Sequence, residues 1–160
     1  MDYRVFCPSD VQGVVDLILP IQQQEFGVQV TLADQPDLLD IPHFYQQGKG
    51  NFWVALDGET LVGSLGLKDI GERDLVLRKM FVAPAYRGPS AVASHLLTQA
   101  LDWARQQGAA RIWLGTTDRY HAAHRFYAKH GFVPVAVDSL PLHFPRMAVD
   151  SLFFSLNLTD

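Results

Sequence analysis

Apolar positions recur along this chain with two different periods, and the change from one to the other lays out its elements. Tyr3 to Phe6 reads as a short strand that Pro8 closes. Val11, Val14, Val15, Ile18 and Leu19 then return at the spacing of one helix face, after Ser9 or Asp10, whose side-chain oxygens suit a helix cap. This helix is expected to fade between Pro20 and Gly27. A weaker helical stretch is expected over residues 37–47, with Leu38, Leu39, Ile41, Phe44 and Tyr45 as its apolar residues. From Asn51 the period falls to two. NFWVALD, an Asp57-Gly58 turn and LVGSLGL predict a hairpin, and LVLRKMFVA a third strand. Residues 91–107 carry Ala93, Leu97, Ala100, Leu101 and Ala104 on one stripe and meet Gly108, a helix stop. RIWLGTT reads as a buried strand, 122–130 as a short helix ended by Gly131, and FVPVAV and AVDSLFFSLNL as the last strands.

A hairpin meander followed by strand–helix–strand–helix–strand defines an α/β (α+β) class. The expectation is one domain over 1–160, with a mixed, mostly antiparallel sheet of about seven strands and about four helices. The 160 residues are 48% hydrophobic and 19% charged, enough to bury a core and too little charged for a disordered tail. No apolar run approaches the ~20 residues that span a bilayer, and the opening MDYRVF lacks the parts of a secretory leader. The single Cys7 fits a reducing compartment, so the reading is cytoplasmic, without a membrane partner. A net charge of −4 argues against nucleic acid as a partner.

The stretch MFVAPAYRGPSAVASHLL, residues 80–97, is the richest in chemistry. A strand ends, Pro84 breaks its pairing, a loop with Arg87 and Gly88 follows, and a helix rich in small residues begins. Unpaired N–H groups and a partial positive charge at a helix start favour an anion such as a diphosphate. Gly88, Ser90, Ala91 and Ala93 let a ligand come close to the backbone. A tight, well-capped strand-to-helix turn explains the same residues without a ligand.

Residues 75–132 resemble the core of the GNAT family of acetyl-CoA-dependent N-acetyltransferases. LRKMFVAPAYRG resembles the family's fourth strand and its Val-x-Pro-x-Tyr-Arg-Gly exit. AAHRFYAKHGFVPV resembles its Ala-x-x-x-Tyr-x-x-x-Gly-Phe helix and sixth strand, with Ala123, Tyr127, Gly131 and Phe132 in place. The resemblance implies acetyl-CoA as cosubstrate and a primary amine as acceptor, joined by direct attack in a ternary complex. It implies that the backbone at Phe81 and Val82 pairs with the pantetheine arm. The diphosphate would lie over Arg87, Gly88, Ser90, Ala91, Val92 and Ala93. Tyr127 would protonate the departing thiolate, and Tyr120 would contact the cofactor arm where many members have asparagine. The acceptor cleft would draw on Phe26, Phe44, Tyr45, His143 and Phe144, unless these pack into the core or against each other.

Two departures stand out. The loop reads RGPSAVA where the family has Arg-Gly-x-Gly-x-Gly/Ala, and the strand before it has no glutamate to serve as base, Val76 lying near that place. Asp74, Asp118, His121 and His143 are the nearby alternatives, alongside a water chain. A non-catalytic acyl-CoA-binding module is the rival function that these departures motivate. His121 and His124 share a helix face, but no zinc-ligand spacing accompanies them, so no metal is expected. The apolar closing strand suits extension of a sheet between two copies, a homodimer.

Overall fold

The meander forms as its alternation predicts. In the computed structural model, which describes residues 1–88 and 91–159, the chain runs β1 (Asp2–Val5), α1 (Val11–Pro20), α2 (Ile41–Phe44), β2 (Asn51–Asp57), β3 (Thr60–Asp69) and β4 (Asp74–Val82). It continues through α3 (Val92–Gln106), β5 (Arg111–Thr116), α4 (His121–Lys129), β6 (Val133–Val135) and β7 (Leu152–Asn157). The strands make one sheet in the order β1-β2-β3-β4-β5-β7-β6, antiparallel except where β4 meets β5. Successive side chains of β2 enter opposite cores, as a strand buried on both faces requires. Trp53 and Ala55 join α3 residues Leu96, Leu97, Ala100 and Ala104, whereas Phe52 and Val54 join Val14 and Ile18 of α1 with Leu38, Ile41 and Tyr45. Cutting Leu97 to Ala would cost about 2–5 kcal/mol by the usual cavity scale.

Four expectations change. The helix over 37–47 is instead a 3-10 turn at Pro36–Leu39 and a single α turn, α2. Asp40 between them is non-helical, at φ −147°, and Pro42 lies in the first turn of α2, where a missing N–H is harmless. Asp10 does not cap α1; its carboxylate takes the Cys7 N–H at 2.9 Å and both terminal nitrogens of Arg4. The sixth strand is only Val133–Val135. The closing strand is no edge: β7 is inserted between β5 and β6 with pairing on both sides, so its backbone is not open to a second copy.

Candidate active site

β4 and β5 stay together for only three registers, Asp74↔Arg111, Leu75↔Ile112 and Val76↔Trp113. Beyond that point β5 continues along β7 to Thr116, and β4 continues along β3 to Val82. The strands therefore part, and β4 presents an unpaired edge to a cavity of about 460 Å³. Such an edge can accept an extended ligand as a further strand would be accepted. The cavity runs from the start of α3, past α4, to the segment that precedes β7.

One end is built on backbone. Arg87, Gly88, Ala91, Val92 and Ala93 all line it, and Ser90 lies outside the described residues. Gly88 and Ala91 have positive φ, 79° and 57°, which turns the chain sharply into α3. The Ala91 N–H is already spent on the Gly88 carbonyl at 3.0 Å, so Ala91 offers contact but no donor. The N–H groups of Val92, Ala93 and Ser94 open α3 and have no partner among the described residues. The Val92 side chain is buried in the core beneath α3, which leaves its amide for the cavity. Arg87 is held by Glu25 through two bonds, 2.5 and 2.8 Å, while its Nε donates to the Val82 carbonyl at 2.9 Å. Arg119 donates to the carbonyls of Phe26 and Gly27. These two arginines tie the Glu25–Gly27 turn to the cavity mouth.

The middle is aromatic. Phe26 meets Tyr120 edge-on at 4.8 Å, and Phe81 meets Tyr120 at 6.0 Å. Burial, then the Glu25 charge, pushes the Tyr120 phenol up to about 12. Tyr127 packs among Phe126, Phe132 and Phe154, yet it lines the cavity, and its hydroxyl makes no hydrogen bond among the described residues. Burial pushes its phenol well above the ordinary value, so it keeps its proton throughout the neutral range.

The far end is built on side chains. The β3–β4 register slips between Ser64↔Phe81 and Gly66↔Arg78, leaving an extra residue on β4, and Lys79 within it takes φ 57°. The bulge turns the neighbours Arg78 and Lys79 to the same side. Lys79 is buried; its Nζ donates to Gln35 Oε1 at 2.5 Å and lies 3.8 Å from Asp37 Oδ2. Gln35 and Gln22 exchange paired amide bonds of 2.9 and 3.0 Å. Burial pulls the Lys79 ammonium down to about 8, against the raising effect of Asp37. Asp150 also lines the cavity, and burial pushes its carboxyl up despite the Met147 N–H at 3.0 Å. Gly115 makes room for it: a Cβ there would come within 2.7 Å of Asp150 Oδ2.

Of the acceptor-cleft residues expected from sequence, Phe26 and Phe144 line the cavity, and Phe44, Tyr45 and His143 do not. Tyr45 is 0% exposed, packed on Phe52 and Phe44, with its hydroxyl donating to Asp37 at 2.6 Å. His143 is exposed outside the cavity, while its neighbours Phe144, Pro145 and Met147 line it. None of the base alternatives Asp74, Asp118, His121 and His143 lines it either. Asp74 instead accepts from the Trp113 indole at 3.0 Å, at the closed end of the β4–β5 gap. Lys79 and Asp150 were missed. Two adjacent charges inside the apolar run LVLRKMFV were the available signal, because a central strand cannot place both outward without a bulge.

The comparisons with known proteins agree with this geometry. The sequence profile of the acetyltransferase (GNAT) family matches residues 15–132, and the chain belongs to that family. It is 32% identical over 114 residues to a probable N-acetyltransferase family 8 member of Mus musculus, covering 68% of this chain and 50% of that one. An acetyltransferase of the GNAT family from Staphylococcus aureus Mu50 superposes with a TM-score of 0.96 at 33% identity, over 99% of both chains. A Thermoplasma acidophilum N-acetyltransferase, solved in complex with coenzyme A, shares the fold at a TM-score of 0.74 and 15% identity, over 98% of both chains. The chain spans between 38% and 50% of the length of the first curated relatives it matches. Among the described residues, no helix is long and apolar enough to cross a membrane.

Proposed function

We propose that this protein transfers the acetyl group of acetyl-CoA to a primary amine by direct attack within a ternary complex. The observation that carries this reading is one continuous cavity between the parted strands, which runs from helix amides without a partner among the described residues, past Tyr127, to Lys79 and Asp150. The diphosphate sits against the amides of Val92, Ala93 and Ser94, where the α3 dipole favours negative charge. Arg87 turns from Glu25 to the phosphates. The pantetheine arm follows the open edge of β4 at Phe81 and Val82, whose amides polarise the thioester carbonyl.

The acceptor ammonium gives one proton to Asp150, a carboxyl that burial makes more basic than an exposed one. The freed nitrogen pair bonds to the acetyl carbon, and the C–S bond breaks with its electrons on sulfur. Tyr127 hands its proton to the thiolate and regains one from the new amide nitrogen. Coenzyme A, the acetylated amine and one proton leave. A thiolate in the same dry cavity is itself more basic than in water, which narrows the gap to the raised phenol.

Titration with acetyl-CoA and a thiol-release assay across a broad amine panel test the reading. Tyr127→Phe should lower kcat by about 100-fold with the acetyl-CoA Kd changed by less than about threefold, since its hydroxyl acts mainly in the transition state. Unchanged turnover would remove Tyr127 from the acid role. Binding without thiol release from any amine would favour the acyl-CoA-binding module.

A further inference from the structure

The far end of the cavity sets two cations, Arg78 and Lys79, on the same wall as one carboxyl, Asp150. Arg78 acts on Lys79 and, outside the lining, on Lys68, and the carboxyls of Asp37, Asp69 and Asp150 lie about these three cations. Lys68 Nζ lies 4.1 Å from the centre of the Phe44 ring and the Arg78 guanidinium 5.4 Å, so two cations rest against one ring. Asp37 is occupied by the Tyr45 hydroxyl at 2.6 Å and by Lys79 behind it. What remains for Arg78 is poor. It shares a hydrogen bond with the Tyr45 hydroxyl, itself taken up by Asp37, and the bond that Nη2 makes at 3.3 Å goes to the thioether sulfur of Met147, a weak acceptor. A guanidinium has five N–H donors in a fork that matches a carboxylate in two parallel bonds. Here that fork is half-buried, lines the cavity, and has no carboxylate bonded to it among the described residues.

Met147 fixes what such a carboxylate would be attached to. Its sulfur receives Arg78 while its backbone N–H donates to Asp150 Oδ2 at 3.0 Å. One residue therefore fastens the cation and the carboxyl side by side on the same wall. A ligand that answers both must carry an ammonium and a carboxylate only a few bonds apart.

We propose that the acceptor is a small amine bearing a carboxylate close to its amino group, with Arg78 receiving the carboxylate in two parallel bonds and Asp150 facing the amine. The inference rests on the N-acetyltransferase reading and names the acceptor class of that same site. Lys79, one residue along the bulge, keeps the end of the cavity positive and excludes acceptors that present a second cation there.

The test compares matched pairs: α-, β- and γ-amino acids, each beside the amine that lacks its carboxylate, assayed by coenzyme A release. The wild-type protein should prefer the carboxylate member by about thirtyfold in kcat/KM, in the range of one charge-assisted pair of bonds. Arg78→Gln should reduce that preference to about threefold, chiefly through KM, and Arg78→Lys should restore part of it because the charge returns without the fork. Titration with acetyl-CoA reports whether each variant is folded. The wild-type ratio needs no variant, so it decides even where a variant fails that check. Equal use of the two members, or a preference that survives Arg78→Gln in a folded variant, overturns the proposal. If no amine of either kind releases coenzyme A, the N-acetyltransferase reading fails. The same amino acids titrated into the coenzyme A-loaded protein then decide: saturable binding that Arg78→Gln removes upholds the carboxylate site, and absence of binding overturns it.

Discussion

The end of the cavity at α3, where we place the phosphates, is made of backbone, and the end at Lys79 and Asp150, where we place the acceptor, is made of side chains brought from far apart in the chain. At the first, Gly88, Ala91 and the opening turn of α3 are neighbours in sequence, and what they offer is a dipole and the amides of 92–94, which have no partner among the described residues. At the second, Gln22, Lys79 and Asp150 line the cavity from α1's extension, a strand bulge and the loop before β7, and Gln35, Asp37 and Tyr45 back them from the segment 35–45. On the proposed reading the first end would suit any cofactor with a diphosphate. The second is specific, buried and internally bonded, and a substitution there reaches the fold as well as the site.

The sharpest way to break this contrast is to remove one charged partner at each end. Asp37→Ala strips the Tyr45 hydroxyl of its acceptor and leaves Lys79 buried without its nearest carboxylate. It should cost about 3 kcal/mol of stability, as removal of one member of a buried pair does. Arg87→Ala opens an ion pair whose members are about one-third exposed, and should cost less than about 1 kcal/mol. Urea unfolding of the two variants reads both. Equal losses would mean that the acceptor end is no more a part of the core than the loop is.

A pH series sharpens the same point through one group. The folded-state Lys79 ammonium titrates at about 8, below the ordinary lysine value near 10.4. Between those values the unfolded chain binds more protons than the native one, so stability rises with pH across that window as the burden of the buried charge is lifted. Lys79→Met has no such group. Raising the pH from about 7.5 to 9.5 should therefore narrow the variant's advantage over wild type, or widen its deficit, by about 1–2 kcal/mol. Parallel pH curves for the two proteins would show that Lys79 is neutralised by its neighbours rather than strained by burial.

The contrast also explains what could be read from sequence. Val82-x-Pro84-x-Tyr86-Arg87-Gly88 and the small residues after it form a local pattern, because a strand exit, a turn and a helix start each leave their own residue types in order. The order and kinds of elements followed from the switch of apolar period at Asn51, and β2, β3, β4, α3 and β5 form where that switch puts them. The segment 37–47 failed because its apolar spacing is helical while Asp40 and Pro42 interrupt the backbone, so the period overstated the helix. Tyr45 belongs to the core and not to the cleft, and an aromatic near a cleft-forming segment carries no sign in sequence of which way it points. Asp150 had no local pattern at all: its meaning depends on Gly115 leaving room across the sheet and on Arg78 at the cavity wall.

The smallest effect expected is at the mouth of the phosphate end, and it separates a resting contact from a binding one. Glu25 holds the Arg87 guanidinium in two bonds, so a diphosphate must take that fork from a carboxylate that is already in place. Glu25→Gln removes the competing charge and leaves the side chain's length. Acetyl-CoA should then bind about threefold more tightly, about 0.7 kcal/mol, which is the scale of an exposed ion pair. The gain should shrink as salt is raised, because both the pair and the phosphate contact are solvent-facing. It should also vanish in an Arg87→Ala background, since the two residues act through one another. Titration calorimetry on the four proteins closes that cycle. A gain that persists without Arg87 would mean that Glu25 repels the phosphates directly and that Arg87 never leaves it.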